Sequence, residues 1–531
     1  YVVEPILTAI PIADANFKTY LVTNFDTDGD GEISTAEAKQ VTAIAINTDN
    51  IYSLDGIEYF TNLKSLECNG FYNWDDNSPS RTPTGKLTSI NLSKNNKLNV
   101  LVCWCNQITQ LNLNNCAQLT RLWCLENQLT QLDLSNCTQL TDLKCYNNQL
   151  TQLDLKNCAQ LTDLDCSNNQ LTQLDLSNCS QLTDLSCHNN QLTQLDLKNC
   201  AQLTDLDCSN NQLTQLDLSN CAQLTNLSCS GNLLTQLDLN NCAQLTDLYC
   251  SSNQLTQFKL SSCTQLRNLD CWGNQITQLD LNNCTQLTGL SCEDNRLTQL
   301  DLSNNTVLQY VDCKNNQLTQ LNLNSPAQLI NLNCKNNQLT QLDLNNYTQL
   351  TDLHCENNQL TQLDLNNCTQ LTILTCLDNQ LTQIDLSSCT QLNNLQCDRN
   401  LLSELNLNNN PQLIRLQCCS NQLTQLNLSN NTQLTDLFCD NNQLSKLDVS
   451  SNTQLATLWC YDNQLTQLNL NNNIQLTDLR CYSNQLTTLD LSDNTALQYV
   501  DCTNNPLDTI YVKEGTSFAL YKSETTQIVV K

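Results

Sequence analysis

Several kinds of residue are scarce in this 531-residue chain. The shortage of basic residues argues against a nucleic-acid-binding protein, and the lack of long apolar runs argues against a membrane-spanning one. Methionine is absent, and there are only 9 glycines, 7 prolines and 2 histidines, so the composition is narrow. Basic residues number 23 against 52 acidic ones, and the resulting net charge of −29 argues against a nucleic-acid partner. No apolar run approaches the ~18 residues of a membrane span. The chain opens at Tyr1 without a basic-then-apolar leader, so we expect any secretion signal to have been removed or left off beforehand.

Catalytic motifs are missing as well. The two histidines, His188 and His354, lie in repeat units that are eight apart, roughly 38 Å at strand spacing, so they are not expected to share a site. The sequence contains no nucleophile elbow, phosphate-binding loop or zinc signature. We therefore expect a protein that is not an enzyme.

One repeat fills most of the chain. From Leu98 to Leu497 a leucine returns every 21 residues, through twenty units without insertion or deletion. With Leu140 as position 1, the unit reads LTDLKCYNNQLTQLDLKNCAQ and is aliphatic at positions 1, 4, 11, 14 and 16 almost everywhere. Cysteine at position 6 and asparagine at position 9 occur in all twenty units. Residues 147–179 and 189–221 are identical, which indicates duplication of a two-coil block.

The core of this unit, LxxLxCxxNxL, resembles the leucine-rich repeat, in its short bacterial class of about 21 residues. The resemblance implies an all-β solenoid of about 22 coils, because one coil cannot bury its own leucines and must stack on its neighbours. The alternating stretches LTDLKC and LTQLDL predict parallel sheets on both sides of the solenoid, with little helix. We expect the position-9 asparagine to donate its side-chain amide to carbonyls of adjacent coils, forming a buried ladder.

The repeat also divides the chain. We predict a small helical N-terminal cap over 1–40, a solenoid over 41–512 and a strand-rich C-terminal cap over 513–531. Two irregular coils occupy 41–97, including a 14-residue insertion, and the regular coils begin at 98.

The 34 cysteines follow the repeat. Counting Cys68, 21 lie at position 6, another eleven lie at position 19, and Cys105 and Cys419 fall outside both columns. One cysteine per coil does not cluster metal ligands, and side chains stacked ~4.8 Å apart in one direction do not match disulfide geometry. We predict reduced thiols that act as small buried hydrophobes, with Cys105 and Cys419 as reactive exceptions on an exposed edge.

A calcium-binding pattern precedes the repeats. Residues 26–37 read DTDGDGEISTAE, a complete D-x-D-x-D-G-x-I-x-x-x-E loop that resembles those of EF-hands and dockerins. The predicted calcium ligands are Asp26, Asp28, Asp30, Glu32 through its backbone carbonyl, and Glu37. We expect a calcium-locked cap on the exposed end of the solenoid. Secreted and cell-surface bacterial proteins of this repeat class show a similar arrangement, which implies an extracellular or bacterial cell-surface location.

The repeats vary chiefly at positions 3, 5, 7 and 8, where aromatic residues collect. Alternation along the first strand points positions 3 and 5 outward, onto the expected concave face. Exposed tryptophan and tyrosine are typical of binding surfaces. The predicted partner-binding residues are Trp74 in the insertion, and Trp104, Trp123, Tyr146, Tyr249, Trp272, Phe438, Trp459, Tyr461, Tyr482 and Tyr499 in the regular units.

An acid row lies between the two aromatic-rich ends of this face. It comprises Asp142, Asp163, Asp184 and Asp205 at position 3, with Asp165 and Asp207 at position 5. Like charges about 5 Å apart repel, and bound cations, a basic partner, or water and salt alone would relieve the repulsion.

The sequence therefore predicts a non-catalytic extracellular binding or adhesion protein that recognises a macromolecule, in the first instance a protein, on the concave face. Two alternatives stay open, a glycan-binding module and a passive structural stalk. We expect calcium as the only cofactor, no nucleic-acid partner, no membrane-spanning segment, and a monomeric solenoid within or beside a surface assembly.

Overall fold

A computed structural model of the chain describes residues 9–73, 82–323 and 328–531. Two compact units, Tyr1–Leu266 and Arg267–Lys531, divide it. Both units are built from the same coil, so each is described in turn.

The first unit begins with two short α-helices, Ala15–Phe25 and Thr35–Ala38. The first starts where the Asp14 carboxylate accepts from the backbone of Asn16 and Phe17, at 2.9 and 3.0 Å, and it buries Phe17 and Leu21. A capping box between Ser34 and Glu37 starts the second helix. A 3-10 turn, Ile57–Tyr59, is the other helical segment among the described residues of this unit.

Ten parallel strands of this unit form one sheet, a single strand from each coil. Equal repeat positions stand side by side, so that Leu143, Leu164 and Leu185 are direct neighbours. The strands are Ala43–Asn47, Ser65–Asn69, Val100–Val102, Arg121–Trp123, Asp142–Lys144, Asp163–Asp165, Asp184–Ser186, Asp205–Asp207, Asn226–Ser228 and Asp247–Tyr249. Two smaller pairings join Ser89–Asn91 to Gln110–Asn112 in parallel, and Tyr72–Asn73 to Thr82–Pro83 in antiparallel.

The second unit repeats this arrangement with thirteen parallel strands. They are Asn268–Asp270, Gly289–Ser291, Tyr310–Asp312, Asn331–Asn333, Asp352–His354, Ile373–Thr375, Asn394–Gln396, Arg415–Gln417, Asp436–Phe438, Thr457–Trp459, Asp478–Arg480, Tyr499–Asp501 and Ala519–Tyr521. On the other side of the coils, Gln299–Asp301 pairs with Gln320–Asn322, and Thr488–Asp490, Thr509–Val512 and Gln527–Val530 form a three-stranded sheet. The predicted fold, a parallel β-solenoid with little helix, is confirmed.

The asparagine ladder predicted at position 9 is present. Asn169 is typical, because its Nδ2 donates to the carbonyls of Cys145 in the preceding coil and of Cys166 and Ser167 in its own, each at 3.1 Å. Its Oδ1 accepts from the backbone N–H of Leu150 at 2.9 Å. Each asparagine of this column is at most 9% exposed. The ladder therefore satisfies the buried backbone where every coil turns.

A second asparagine column was not predicted. Where position 19 is asparagine instead of cysteine, the amide again bridges coils, as when Asn431 Nδ2 donates to the carbonyls of Leu407 and Asn410 at 3.2 and 2.9 Å. The Oδ1 atoms of this column have no hydrogen-bond partner among the described residues. Cysteine and asparagine thus share one buried position because both are small. Asparagine donates to two carbonyls, whereas the thiols of Cys116 and Cys389 each donate to one carbonyl of the preceding coil, at 3.6 and 4.0 Å.

The sheet on the second side of the coils is less extensive than the sequence pattern suggests. Paired strands occur there at the few places named above, and elsewhere in the described coils the LTQLDL stretch is extended without a ladder. Its leucines are nevertheless buried, as Leu153 and Leu155 show at 6% and 1% exposure. The alternation of apolar and polar residues therefore indicates which side chains are buried. It does not require the backbone to form a strand paired with the next coil.

The expected exposure of Cys105 is wrong. This thiol is fully buried, although the residue lies at position 8 of its coil. Position 8 has a left-handed backbone throughout the repeats, with φ of 53° at Cys105 and 52° at Asn147. That requirement explains why asparagine, aspartate, glycine and serine predominate at this position. Residue variation at position 8 therefore reflects the left-handed backbone of the turn more than the needs of a binding surface. Cys419 is partly exposed, as predicted.

Candidate functional site

The variable side chains lie on the strand face, which we define as the residues at positions 3 and 5 of each coil. These positions flank the buried position 4, as Asp163 and Asp165 flank Leu164. Because the strands are parallel and in register, equal positions form columns across neighbouring coils. A side chain on this face therefore contacts the equivalent residue of the next coil.

In the second unit these columns bring aromatic residues together. Phe438 and Trp459 make an edge-to-face contact with ring centroids 4.8 Å apart, and Tyr499 lies 5.4 Å from Tyr521. Beside them, at position 7, Tyr461 and Tyr482 stack with centroids 4.3 Å apart and planes 10° from parallel. We call this set the aromatic cluster: Phe438, Trp459, Tyr461, Tyr482, Tyr499 and Tyr521. Phe438 is only 8% exposed, so it supports its neighbours more than it meets solvent.

Arg480 holds the centre of the aromatic cluster in place. Its guanidinium lies 4.1 Å from the ring centroid of Trp459 and 5.0 Å from that of Tyr499. It also pairs with Asp478 at 3.2 Å, and Asp478 accepts from the indole Nε1 of Trp459 at 3.2 Å. Trp459 is thus fixed by a cation on its face and by a carboxylate at its polar edge.

The first unit contains a related arrangement around Trp123. Arg121 and Lys144 lie 4.9 and 5.4 Å from its ring centroid, and Asp142 accepts from its Nε1 at 3.0 Å. The Asp142 carboxylate also accepts from Arg121 at 2.9 Å. The predicted neighbour Tyr146 is half-buried, two residues beyond Lys144.

The other predicted binding residues are more scattered. Trp104 meets Phe71 edge-to-face at 6.4 Å, whereas Trp74 lies outside the described residues. Tyr249, Trp272 and Tyr310 are exposed by 41%, 38% and 54%. The sequence analysis placed Asp142 in the acid row but missed its contact with Trp123, and it missed Arg480 and Asp478 as contacts of Trp459. Positions 3 and 5 of adjacent units could have revealed the Trp–Asp–cation spacing.

The acid row is only partly neutralised. Arg121 pairs with Asp142 at one end, and at the other Asn226 donates to Asp205 at 2.7 Å. Asp184 stands between Asp163 and Asp205 in register, and its carboxylate makes no hydrogen bond or ion pair among the described residues. Burial, with the adjacent Asp163 and Asp205 carboxylates, raises the pKa of Asp184 to about 6.

Ser186, His188 and Asp207 are close together, but their geometry is not that of a catalytic triad. Ser186 Oγ and Asp207 Oδ2 both approach Nδ1 of the imidazole, at 2.9 and 3.2 Å. A triad places the serine and the carboxylate on opposite ring nitrogens. The hydrogen bond to Asp207 raises the pKa of His188, so this group behaves as a partner for the acid row.

The calcium loop fits a cation at its front half. Carboxylate oxygens of Asp26, Asp28 and Asp30 lie within 4.8 Å of one another. The backbone N–H groups of Gly29 and Gly31 donate to Asp26 at 2.7 and 2.9 Å, which fixes its carboxylate in the loop. Oxygen ligands in this arrangement suit calcium.

Glu37, the predicted bidentate ligand, is engaged elsewhere. Its Oε1 accepts from the backbone and hydroxyl of Thr27 at 2.6 and 2.8 Å, and its Oε2 accepts from both groups of Ser34 at 2.8 Å. Burial alone would raise its pKa, but these hydrogen bonds lower the pKa of Glu37 to about 2. Bidentate calcium binding would require the hydroxyls of Thr27 and Ser34 to turn away. The Glu32 side chain pairs with Lys18 at 2.6 Å. The Glu32 group predicted as a ligand is therefore its backbone carbonyl alone.

The in-register strands and the buried asparagine column define a leucine-rich-repeat solenoid. The family described as leucine-rich repeats (2 copies) matches residues 243–283. No curated protein matches significantly. Among the described residues, no helix is both long and apolar enough to cross a membrane.

Two solved structures share this fold, and a third is similar in sequence. YopM from Yersinia enterocolitica is 24% identical over 93% of this chain and 92% of its own, with a TM-score of 0.60. The Arabidopsis receptor kinase HAESA, solved with the peptide hormone IDA and the co-receptor SERK1, is 21% identical over 80% of this chain and 87% of its own, with a TM-score of 0.59. The functional domain of InlJ from Listeria monocytogenes, which includes a cysteine ladder, is 27% identical over 91% of this chain and 83% of its own, with a TM-score of 0.46.

Proposed function

We propose that this protein is a non-catalytic binding protein that recognises a protein partner on its strand face. The observation that carries the proposal is the aromatic cluster, six aromatic side chains gathered on and beside one part of that face in a chain with 5% aromatic residues. Large aromatic side chains dominate binding energy at protein interfaces. The leucine-rich-repeat fold is itself typical of protein-binding modules.

Internal contacts prepare the aromatic cluster for binding. Trp459 is held by Arg480 and Asp478, and the Tyr461 and Tyr482 rings hold each other by stacking. Side chains that are already fixed lose little conformational entropy when a partner docks. This arrangement favours a binding surface over a passive stalk, whose exposed positions need no such ordering.

The same contacts favour a protein over a glycan. A sugar stacks flat on an open aromatic face, but Arg480 covers a face of Trp459, and Tyr461 and Tyr482 cover each other. Ring edges remain for a partner beside the polar side chains of Arg480 and Asp478, which suits a surface that mixes apolar and polar side chains.

A capture experiment tests this function. The wild-type chain and the Trp459→Ala/Tyr461→Ala variant are immobilised, and extracts from the organism's surroundings are applied before or after protease or glycosidase treatment. We expect capture that protease abolishes and that the double variant loses. Tyr52→Ala removes a tyrosine that is 65% exposed and lies outside the cluster, so it is the matched control. Capture that resists protease but not glycosidase would establish the glycan alternative.

We also propose that the N-terminal cap, residues 1–40, binds one calcium ion. Asp26, Asp28 and Asp30 would supply side-chain oxygens, Glu32 its backbone carbonyl, and Glu37 both carboxylate oxygens after releasing the hydroxyls of Thr27 and Ser34. The convergence of the three aspartates supports this proposal. Calcium would stabilise the cap, because only the folded loop gathers these ligands.

The proposed location is extracellular or on a bacterial cell surface. The acidic composition and the calcium loop support it, since extracellular calcium modules work at 10⁻⁴–10⁻³ M, roughly the free concentration outside cells. Protease treatment of intact cells tests it: the protein should be cleaved while a cytoplasmic marker survives. Protection equal to that of the marker would contradict the proposal.

A further inference from the structure

We propose that Arg415 selects the partner, by binding a side-chain carboxylate of an acidic peptide segment at the border of the aromatic cluster. This inference rests on the proposed function and adds the chemical class of the group recognised. It concerns one arginine at position 3 of its coil, on the strand face.

Arg415 is a cation without an ion-pair partner among the described residues. Its guanidinium lies 5.0 Å from the ring centroid of Phe438, but it makes no ion pair or hydrogen bond with any described residue. Its Nε is a buried donor that lacks an acceptor. Asn394, one coil earlier in register, likewise has a buried Oδ1 without a partner. These two atoms are buried, so a ligand would meet the terminal nitrogens of the guanidinium, which make no hydrogen bond or ion pair among the described residues.

A comparable arginine in the first unit shows that the lack of an ion pair at Arg415 is unusual. Arg121 also occupies position 3, and an aspartate, Asp142, follows at position 3 of the next coil. That pair is joined at 2.9 Å. Arg415 has Asp436 in the same relation, yet Asp436 accepts from the hydroxyl of Thr435 at 2.8 Å instead.

The two arginines differ in their contacts because different residues occupy position 5 of the coils around them. In the first unit Trp123 stands at position 5 of the arginine's own coil, and its indole shares the aspartate with the arginine. In the second unit Gln417 takes that place, and the aromatic residue, Phe438, stands in the next coil beneath the guanidinium. The guanidinium is therefore drawn over the Phe438 ring, and its terminal nitrogens keep donor capacity.

The chemistry of this spot fits a carboxylate. A guanidinium binds a planar carboxylate through two parallel hydrogen bonds, and the aromatic ring beneath it excludes water from one side. The carboxylate of an aspartate or glutamate in the ligand would pair with Arg415. The apolar residue next to it in the ligand would contact Phe438 and Trp459. The net charge of −29 repels acidic ligands overall, so an arginine without an ion-pair partner supplies the local attraction that an acidic ligand needs.

The probe is a peptide array with glutamate at the centre of every peptide, flanked by varied aromatic and aliphatic residues. A second array is identical except that glutamine replaces glutamate. The wild-type chain should bind the glutamate array at least about tenfold more tightly, because a charge-assisted pair exceeds a neutral one by roughly that factor. Arg415→Gln should remove the preference, and Arg415→Lys should retain part of it.

The controls separate this inference from the proposed function. Arg399→Gln removes an exposed arginine whose charge is already matched by Asp378, so it should leave the glutamate preference unchanged. Equal binding to both arrays by the wild-type chain, or a preference that survives in Arg415→Gln, would show an internal role only and would overturn the inference. Loss of all peptide binding in Trp459→Ala, with no effect of Arg415→Gln, would leave the binding function standing alone.

Discussion

Trp459 donates its indole N–H to Asp478 of the following coil at 3.2 Å, while Arg480 covers its ring at 4.1 Å. Trp123 and Asp142 repeat this relation at 3.0 Å, with Lys144 in the place of the arginine. One arrangement therefore recurs: a tryptophan at position 5 contacts an aspartate at position 3 and a cation at position 5 of the next coil. It orients an aromatic ring on the strand face before any partner arrives.

The asparagine ladder should dominate the stability of each coil. Asn169→Ala removes three donated hydrogen bonds and leaves the Leu150 N–H without an acceptor, so we expect the free energy of unfolding to fall by about 3 kcal/mol. Asn157→Ala, an exposed residue with one hydrogen bond to Ser135, should cost less than about 1 kcal/mol. Chemical denaturation measures both, and faster hydrogen exchange of the Leu150 amide should appear in the first variant alone. Equal costs would contradict the ladder's role.

Cysteine labelling should be slow throughout the native chain. The 34 cysteines are present as thiols, and all but Cys419 are buried. Burial and the flanking Asp398 and Asp440 carboxylates raise the pKa of the Cys419 thiol far above its usual range, and the thiol donates to Asp440 at 2.9 Å. The thiolate is the reactive form, so Cys419, which the sequence predicted to be reactive, should also label slowly at pH 8.

Asp440→Asn removes one of these charges and should accelerate labelling of Cys419 severalfold, as measured by mass spectrometry of alkylated peptides. Cys105, being buried, should remain protected in both proteins. Rapid labelling of Cys105 in the folded wild-type chain would contradict the structure.

The acid row should make stability depend on pH in an unusual direction. The pKa of Asp184 is raised to about 6, above its unfolded value near 3.8. The folded state therefore holds the proton more tightly, and its stability falls as pH rises from about 4 to about 6. Asp184→Asn should stabilise the protein at pH 7.5 by up to about 1 kcal/mol, since salt and solvent screen this exposed row, and should change little at pH 4.

Asp142→Asn tests the same row at its neutralised end. This aspartate accepts from Arg121 and Trp123, so its substitution should lower the melting temperature at pH 7.5. Opposite signs for the two substitutions are expected in thermal melts. A melting temperature that Asp184→Asn also lowers at pH 7.5 would show that repulsion within the row is negligible.

Calcium should raise the melting temperature of the cap and bind once per chain. Isothermal titration of wild-type protein should give one site, and Asp26→Ala/Glu37→Ala should abolish both the heat and the thermal shift. Asp55→Ala, an exposed aspartate outside the loop, should preserve both. Unchanged stoichiometry in the double variant would place the calcium elsewhere.

The repeat made the fold largely predictable. Invariant leucines, Cys at position 6 and Asn at position 9 indicate burial at fixed spacing, and stacking of equal positions follows from a period without insertions. The structure of the second side was harder to predict, because alternation in residues such as Leu153 and Leu155 records burial and not pairing. Cys105 was misplaced because a left-handed turn can bury a residue beyond the strand.

The candidate binding site could be predicted only in part. The aromatic residues of the cluster are visible in the sequence as departures from a monotonous unit. Their fixation by Arg480 and Asp478, and the unpaired state of Arg415, depend on contacts between coils. Such contacts are decided by side-chain conformations, for example whether Asp436 accepts from Thr435 or from an arginine, and the repeat pattern does not specify them.

Site-specific crosslinking tests the strand-face proposal most directly. A photoreactive amino acid replaces Thr457, beside the aromatic cluster, or Lys446, an exposed residue at position 13 on the other side of the coil. After illumination with the captured partner, we predict crosslinks from position 457 that Trp459→Ala abolishes, and none from position 446. Crosslinks from position 446 alone would contradict the account and place the binding site on the opposite side of the coils.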